Sequence, residues 1–164
     1  MRFDDIVGQH SVVKNLKNSI ANGRVAHAYM FCGPDGVGKS VAALLLAMSV
    51  NCRSGVVDPC GICPSCIRAR DGNHPDIISV RTSKAIIHVD QMRELQCDMQ
   101  KKPYERGTKE YIIYQSEKMN DEAQNCLLKT LEEPPKHVII ILLCQSSYSM
   151  LQTIVSRCRV LRII

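Results

Sequence analysis

Eight consecutive residues carry the plainest chemistry in the chain: Gly33-Pro34-Asp35-Gly36-Val37-Gly38-Lys39-Ser40. Glycines at this spacing let successive backbone N–H groups converge on one point, which favours an anion. An apolar run over residues 28–31 precedes them and a helical pattern from Lys39 follows, so the positive end of that helix aims at the same point. The pattern G-x-x-x-x-G-K-[ST] suits the phosphates of ATP or ADP. Gly33, Gly36 and Gly38 would shape the cradle, Lys39 would reach the β- and γ-phosphates, and Ser40 would ligate Mg²⁺. A glycine turn that merely opens a helix is the plainer alternative.

Hydrolysis asks for more. A second strand should end in an acid that holds the metal shell and, in many such enzymes, another that orients the attacking water. The strand expected over residues 111–115 runs into Gln115-Ser116, with no carboxylate at its tip. Glu117 follows one residue later and is expected in the next turn, facing elsewhere. Losing a positioned general base costs about 10² to 10⁴ in rate. The expectation is therefore nucleotide binding with weakened Mg²⁺ binding and negligible turnover. The alternative keeps Glu117 in the acid's role.

Cys52, Cys60, Cys63 and Cys66 form a second constellation, C-x₇-C-x₂-C-x₂-C, with Pro59, Gly61 and Pro64 between them. Tight C-x-x-C turns let thiolates share one tetrahedral centre, which suits Zn²⁺, and four ligands leave no open position for catalysis. The reading is a structural zinc; a redox C-x-x-C is the rival. Nine cysteines in all, an odd number without a secretory signal, argue for reduced thiols rather than a disulfide framework. The remaining cysteines in apolar runs read as small core residues. His10, His27, His74, His88 and His137 show no ligand spacing and read as structural.

These groups must be held by a frame. At 45% hydrophobic and 23% charged the composition is that of a globular domain, and 164 residues suffice for one core. Five apolar strands are expected over residues 28–31, 76–80, 111–115, 138–144 and 159–163. Helical patterns over 11–22, 39–50, 89–100 and 121–133 alternate with them, and Pro134-Pro135 stops the last. That alternation gives an α/β fold with a parallel sheet. No apolar run approaches the roughly 18 residues of a membrane span, so a cytoplasmic protein is expected. The net charge of +5 permits contact with a polyanion, as does the basic stretch Lys101, Lys102, Arg106 and Lys109, but a solvated surface accounts for both.

Several segments together resemble a known family. They are Ile6-Val7-Gly8-Gln9, His27-Ala28-Tyr29, residues 33–40, the four cysteines, His74-Pro75-Asp76, the run from Leu127 to Pro135, and Ser156-Arg157-Cys158. The chain is similar to the first domain of bacterial clamp-loader subunits, an AAA+ group, and within it to the delta-prime type of DNA polymerase III.

The resemblance implies a P-loop AAA+ (RecA-like) three-layer fold whose five-stranded parallel sheet has the order 5-1-4-3-2. It places Ile6, Val7 and Gly8 near the adenine, and it makes Arg157 an arginine finger reaching a neighbouring subunit's ATP site. It implies other loader subunits (gamma/tau-type ATPases and delta) as partners. The sliding clamp and primer-template DNA would be met through the assembled complex, without a membrane. Residues 1–164 would be a truncated AAA+ domain carrying a zinc module at about 52–66, without the family's helical lid and C-terminal collar.

The motor subunits of the group carry Asp-Glu where this chain is read to have Gln115-Ser116, and the sensor 1 segment, Cys144-Gln145-Ser146-Ser147, agrees weakly. The expected role is a nucleotide-binding polymerase III subunit with little ATPase turnover of its own. The rivals are the motor subunit of the same loader and a nucleoside or nucleotide kinase with a zinc lobe. A kinase would need an acceptor base and an arginine lid, and neither pattern is present.

Overall fold

The computed structural model describes residues 1–54, 57–105 and 107–164. Five parallel strands form one sheet: β1 (Ala28–Cys32), β2 (Ile77–Val80), β3 (Lys109–Ile113), β4 (Val138–Cys144) and β5 (Arg159–Arg162). Their order is β2-β3-β4-β1-β5, the order 5-1-4-3-2 implied by the resemblance. β1, β3 and β4 are buried along their whole length, and β1 and β4 accordingly read as continuous apolar runs rather than alternating ones.

Helices cover both faces. α1 (His10–Ala21) and α2 (Lys39–Asn51) pack Val12, Leu16, Ala42 and Leu46 against Tyr29, Phe31 and Ile141. On the other face α4 (Val89–Met99), α5 (Asp121–Glu132) and α6 (Gln152–Val155) set Met92, Leu127 and Ile154 against Met30, Ile113 and Leu142. The result is the three-layer P-loop AAA+ architecture. α5 begins where the Asn120 side chain accepts the Ala123 N–H at 2.9 Å, an N-cap that satisfies one orphan donor.

α3 (Pro64–Arg70), α6 and the bounds of β3 depart from the sequence reading. α3 was not expected: Pro64 stands at its first turn, where a missing N–H costs nothing, so a residue read as a turn former starts a helix. β3 begins two residues early and ends at Ile113, because Lys109 and Glu110 are buried strand residues despite their charge. The Lys109 ammonium donates to the Asp98 carboxylate at 2.9 Å and to the Asp98 carbonyl at 2.8 Å. Lys109 therefore leaves the expected basic loop, while Arg106 lies outside the described residues. Burial alone would raise the Asp98 carboxyl, but the Tyr111 hydroxyl and Lys109 together hold it below the usual range.

A polar network ties the edge of the sheet to α3. His74 Nε2 lies 3.0 Å from Ser65 Oγ, and His74 Nδ1 accepts the Asp76 N–H. The Asp76 carboxylate accepts the Tyr104 and Glu105 N–H groups, each at 2.8 Å, and Glu105 pairs with Arg68. Beside it Glu110 is fully buried, meeting Asn51 Nδ2 at 2.5 Å and the Thr108 hydroxyl. Burial pushes the Glu110 carboxyl up from 4.5 to about 8, and the neighbouring Asp76 charge adds to the rise.

Between those values the folded chain keeps a proton that the unfolded chain has released. The contribution of Glu110 to stability should therefore fall as pH rises from about 4.5 to 8 and level off above. Glu110→Gln should flatten that slope in urea unfolding measured at several pH values. A variant with the wild-type slope would contradict this account.

Candidate functional site

The cradle forms where β1 ends between its two neighbours. The Gly33 N–H donates to the Cys144 carbonyl at 3.2 Å, and the Ile163 N–H donates to the Cys32 carbonyl at 2.7 Å. A Cβ on Gly33 would collide with the Ile163 carbonyl oxygen, so this glycine is required by close approach. Gly36 and Gly38 are required by conformation, with φ of +83° and +97°. From Gly38 the chain enters α2, and the Lys39 ammonium turns back to donate to Gly33 O (2.6 Å) and Cys144 O (3.1 Å), with Asp35 at 3.6 Å.

Gly36, Gly38, Lys39 and Ser40 line a cleft of about 410 Å³ at the carboxyl ends of the strands, where parallel α/β sheets place ligands. Arg81, Tyr114 and Gln115 close the opposite side. β3 stops at Ile113, so the residues at its tip are Tyr114-Gln115 rather than Gln115-Ser116. Ser116 is buried and donates to the Leu143 carbonyl at 3.1 Å. The tip still carries no carboxylate.

Glu117 corrects a further expectation. Gln115 adopts a left-handed conformation (φ +47°), and a short 3₁₀ turn over Ser116–Lys118 brings Glu117 back to line the same cleft. Its Oε2 is buried without a hydrogen-bond partner, an orphaned acceptor beside Lys39 and Ser40. Such an atom, in the cleft that Ser40 also lines, fits Mg²⁺ there.

Two other residues were not foreseen. The Arg81 guanidinium lies 3.9 Å above the Tyr114 ring, and Gln145 Nε2 donates to Asp35 at 3.1 Å. Each directly follows the last residue of a parallel strand, and that position was the available signal.

Ile6 and Val7 line a second cleft of about 310 Å³, which shares Gly36, Gly38 and Val41 with the first. Both therefore stand next to the cradle. Gly8 (φ +77°) turns the chain toward α1 and is not among the residues lining that cleft. Arg157 lies outside both clefts. Its guanidinium pairs with Glu132 at 3.2 Å, and its side chain is 41% exposed.

The four cysteines of the second constellation do converge. The Sγ atoms of Cys52, Cys60, Cys63 and Cys66 all lie within 4.8 Å of one another, and Cys60 and Cys66 are 3.9 Å apart. Zinc–thiolate bonds of about 2.3 Å imply sulfur–sulfur edges of about 3.8 Å, so the set fits zinc. Backbone N–H groups of Cys60, Cys63 and Cys66 point at Cys52, Cys60 and Cys63 sulfurs at 3.3–3.4 Å. Burial opposes ionisation of Cys52, but hydrogen bonds from Ser54 and Cys60 outweigh it and bring the thiol to about 6.

The module packs on α2 through Met48, Cys66 and Ala69. Elemental analysis should find about one zinc per chain. Cys63→Ser should lose it and lower the melting temperature, whereas less than about half an equivalent in fresh wild-type protein would contradict the assignment.

Comparison with known proteins agrees with this geometry. A family model described as "DNA polymerase III, delta subunit" matches residues 8–164. DNA polymerase III subunit delta' of Bacillus subtilis is 42% identical over 153 residues, covering 93% of this chain and 46% of that protein. Subunit tau of Bacillus subtilis is 38% identical over 159 residues, covering 96% of this chain and 28% of the relative. The chain thus spans less than half the length of these relatives.

Among solved structures, a gamma subunit-related protein of DNA polymerase III from Thermotoga maritima has a TM-score of 0.69 at 21% identity, covering 92% of this chain and 45% of that one. The RuvB Holliday junction branch migration motor of Thermotoga maritima has a TM-score of 0.59 at 15% identity, covering 98% and 46%. These two share the fold. On the family match over residues 8–164 and the relatives' identity, the chain belongs to the DNA polymerase III delta family, with the delta-prime and tau subunits among its relatives.

Proposed function

We propose that this chain is the nucleotide-binding part of a delta-prime-type clamp-loader subunit. It holds ATP or ADP with little turnover of its own and presents Arg157 to the active site of a neighbouring ATPase subunit. The observation that carries the reading is a complete cradle over residues 33–40 facing a strand tip, Tyr114-Gln115, that has no carboxylate. Its partners would be gamma/tau-type ATPases and delta, with the sliding clamp and primer-template DNA engaged by the assembled complex.

In the cradle, Gly36 and Gly38 would turn backbone N–H groups to the phosphates and Lys39 would exchange its carbonyl partners for phosphate oxygens. Ile6 and Val7 would contact the base. Mg²⁺, held by Ser40 and Glu117, would supply charge neutralisation between phosphate oxygens. The four-cysteine zinc would be structural. Arg157 supports the finger role by its position: half exposed, outside the chain's own clefts, and steadied by Glu132.

A second reading has an observation of its own. The Glu117 carboxylate lines the cleft with an unpartnered oxygen, so it could take the water-orienting role and make the chain a hydrolysing motor subunit. One set of assays separates the two. In a reconstituted loader, Arg157→Ala should lower DNA-stimulated ATP turnover at the site it completes by about 10³ or more. Unchanged turnover and clamp loading would sink the finger assignment. The isolated full-length subunit should hydrolyse ATP negligibly; steady turnover lost in both Lys39→Ala and Glu117→Gln would establish the motor reading instead.

A further inference from the structure

Two thiols outside the zinc module meet at the floor of the nucleotide cleft. Cys32 ends β1 and Cys144 ends β4, and the two are direct partners in the parallel register. Their side chains fall on the same face of the sheet, with Sγ atoms 3.3 Å apart. Both are free. Paired parallel strands run about 4.8 Å apart, within the range of Cα separations that a disulfide spans. Both residues border open space: Cys144 lines the cleft with Lys39 and Glu117, and Cys32, 6% exposed, lines an adjoining cleft of about 270 Å³ with Arg162.

We propose that Cys32 and Cys144 are a thiol–disulfide site, closed by a hydroperoxide and reopened by a dithiol, and that closing it weakens nucleotide binding. The two sulfurs have different roles. The hydrogen bond from Cys144, with Arg162 and Lys39 nearby, holds the Cys32 thiol below its ordinary range against the effect of burial. The same bond and burial push Cys144 up. Cys32 is also the more exposed of the two, 6% against 1%, so it is the thiol that meets the peroxide and Cys144 is the resolving thiol.

The Cys32 sulfur attacks the terminal peroxide oxygen, the O–O bond breaks, and the departing alkoxide takes up a proton as alcohol. The sulfenic acid at Cys32 is then attacked by the Cys144 sulfur. The S–O bond breaks, and the hydroxide leaves as water with the Cys144 proton. Two sulfurs lose two electrons in total and the peroxide gains them. A dithiol reverses the bond by exchange.

The consequence for the cradle follows from the backbone. Closure draws the sulfurs from 3.3 Å to a bond of about 2.05 Å, at the residue whose carbonyl accepts both Lys39 and the Gly33 N–H. The nucleotide effect rests on the binding role proposed above; disulfide formation does not.

The test uses full-length, zinc-loaded protein treated with hydrogen peroxide and mapped by mass spectrometry without reduction. The expected result is a Cys32–Cys144 linked peptide lighter by two hydrogens and lost on dithiothreitol treatment. In Cys144→Ser, dimedone should trap a sulfenic acid at Cys32. Oxidation confined to the zinc cysteines or to intermolecular links, in protein still folded by circular dichroism, would overturn the site. Reduced and oxidised samples are then titrated with a fluorescent ATP analogue. A loss of about tenfold or more in affinity, restored by dithiothreitol and absent in Cys32→Ser, is expected. A formed disulfide with unchanged affinity would overturn the coupling to nucleotide.

Discussion

The site depends on one close approach. Where β1 ends, the chain must pass between the ends of β4 and β5, and the Ile163 carbonyl occupies the space a side chain on residue 33 would need. Gly33 passes because it has no Cβ, and its amide and the Cys32 carbonyl are held by Cys144 and Ile163. The loop over residues 33–38 can then turn sharply and start α2 directly over the central strands. Lys39 returns to the same point, so the beginning and end of the loop share the Cys144 carbonyl. The Gln9 side chain, bonded to both the N–H and the carbonyl of Ile164, secures the far side of the passage.

From that point the sheet acts as a ruler. Parallel strands end at one level, so Arg81, Tyr114 and Gln145, distant in sequence, arrive around the cradle because each follows a strand. The zinc module is tied to the frame separately. α3 leaves the cysteine cluster, and its Ser65 and Arg68 engage His74 and Glu105, while Met48 of α2 packs on Cys66. Because α2 begins at the cradle and ends at Cys52, a metal held by the cysteines would brace a helix whose other end opens on the cradle.

Much of this was legible in the residues. The cradle and the four cysteines depend on spacing along a short stretch, and spacing is what a sequence displays. The sheet order followed from the resemblance, and the strands from apolar runs. What escaped was governed by tertiary contacts. Lys109 and Glu110 sit inside a strand because Asp98 pairs with the ammonium and Asn51 and Thr108 hydrogen-bond the carboxyl, partners 2 to 59 residues away in sequence. Glu117 faces the cleft because Gln115 takes a left-handed turn that its residue type does not announce. The Cys32–Cys144 contact required knowing the register of strands 112 residues apart.

Together these features support the proposal of binding without turnover. The cradle is complete, the strand tip beside it carries tyrosine and glutamine, and the nearest acid arrives one turn later with an unpartnered oxygen. The central claim is that residues 33–40 hold a nucleotide, whatever becomes of its γ-phosphate. Calorimetric titration of a non-hydrolysable ATP analogue with Mg²⁺ into reduced, zinc-loaded full-length protein tests it most directly. The account predicts saturable binding at one site per chain. An absence of binding heat at millimolar analogue, in protein that remains folded, would contradict it.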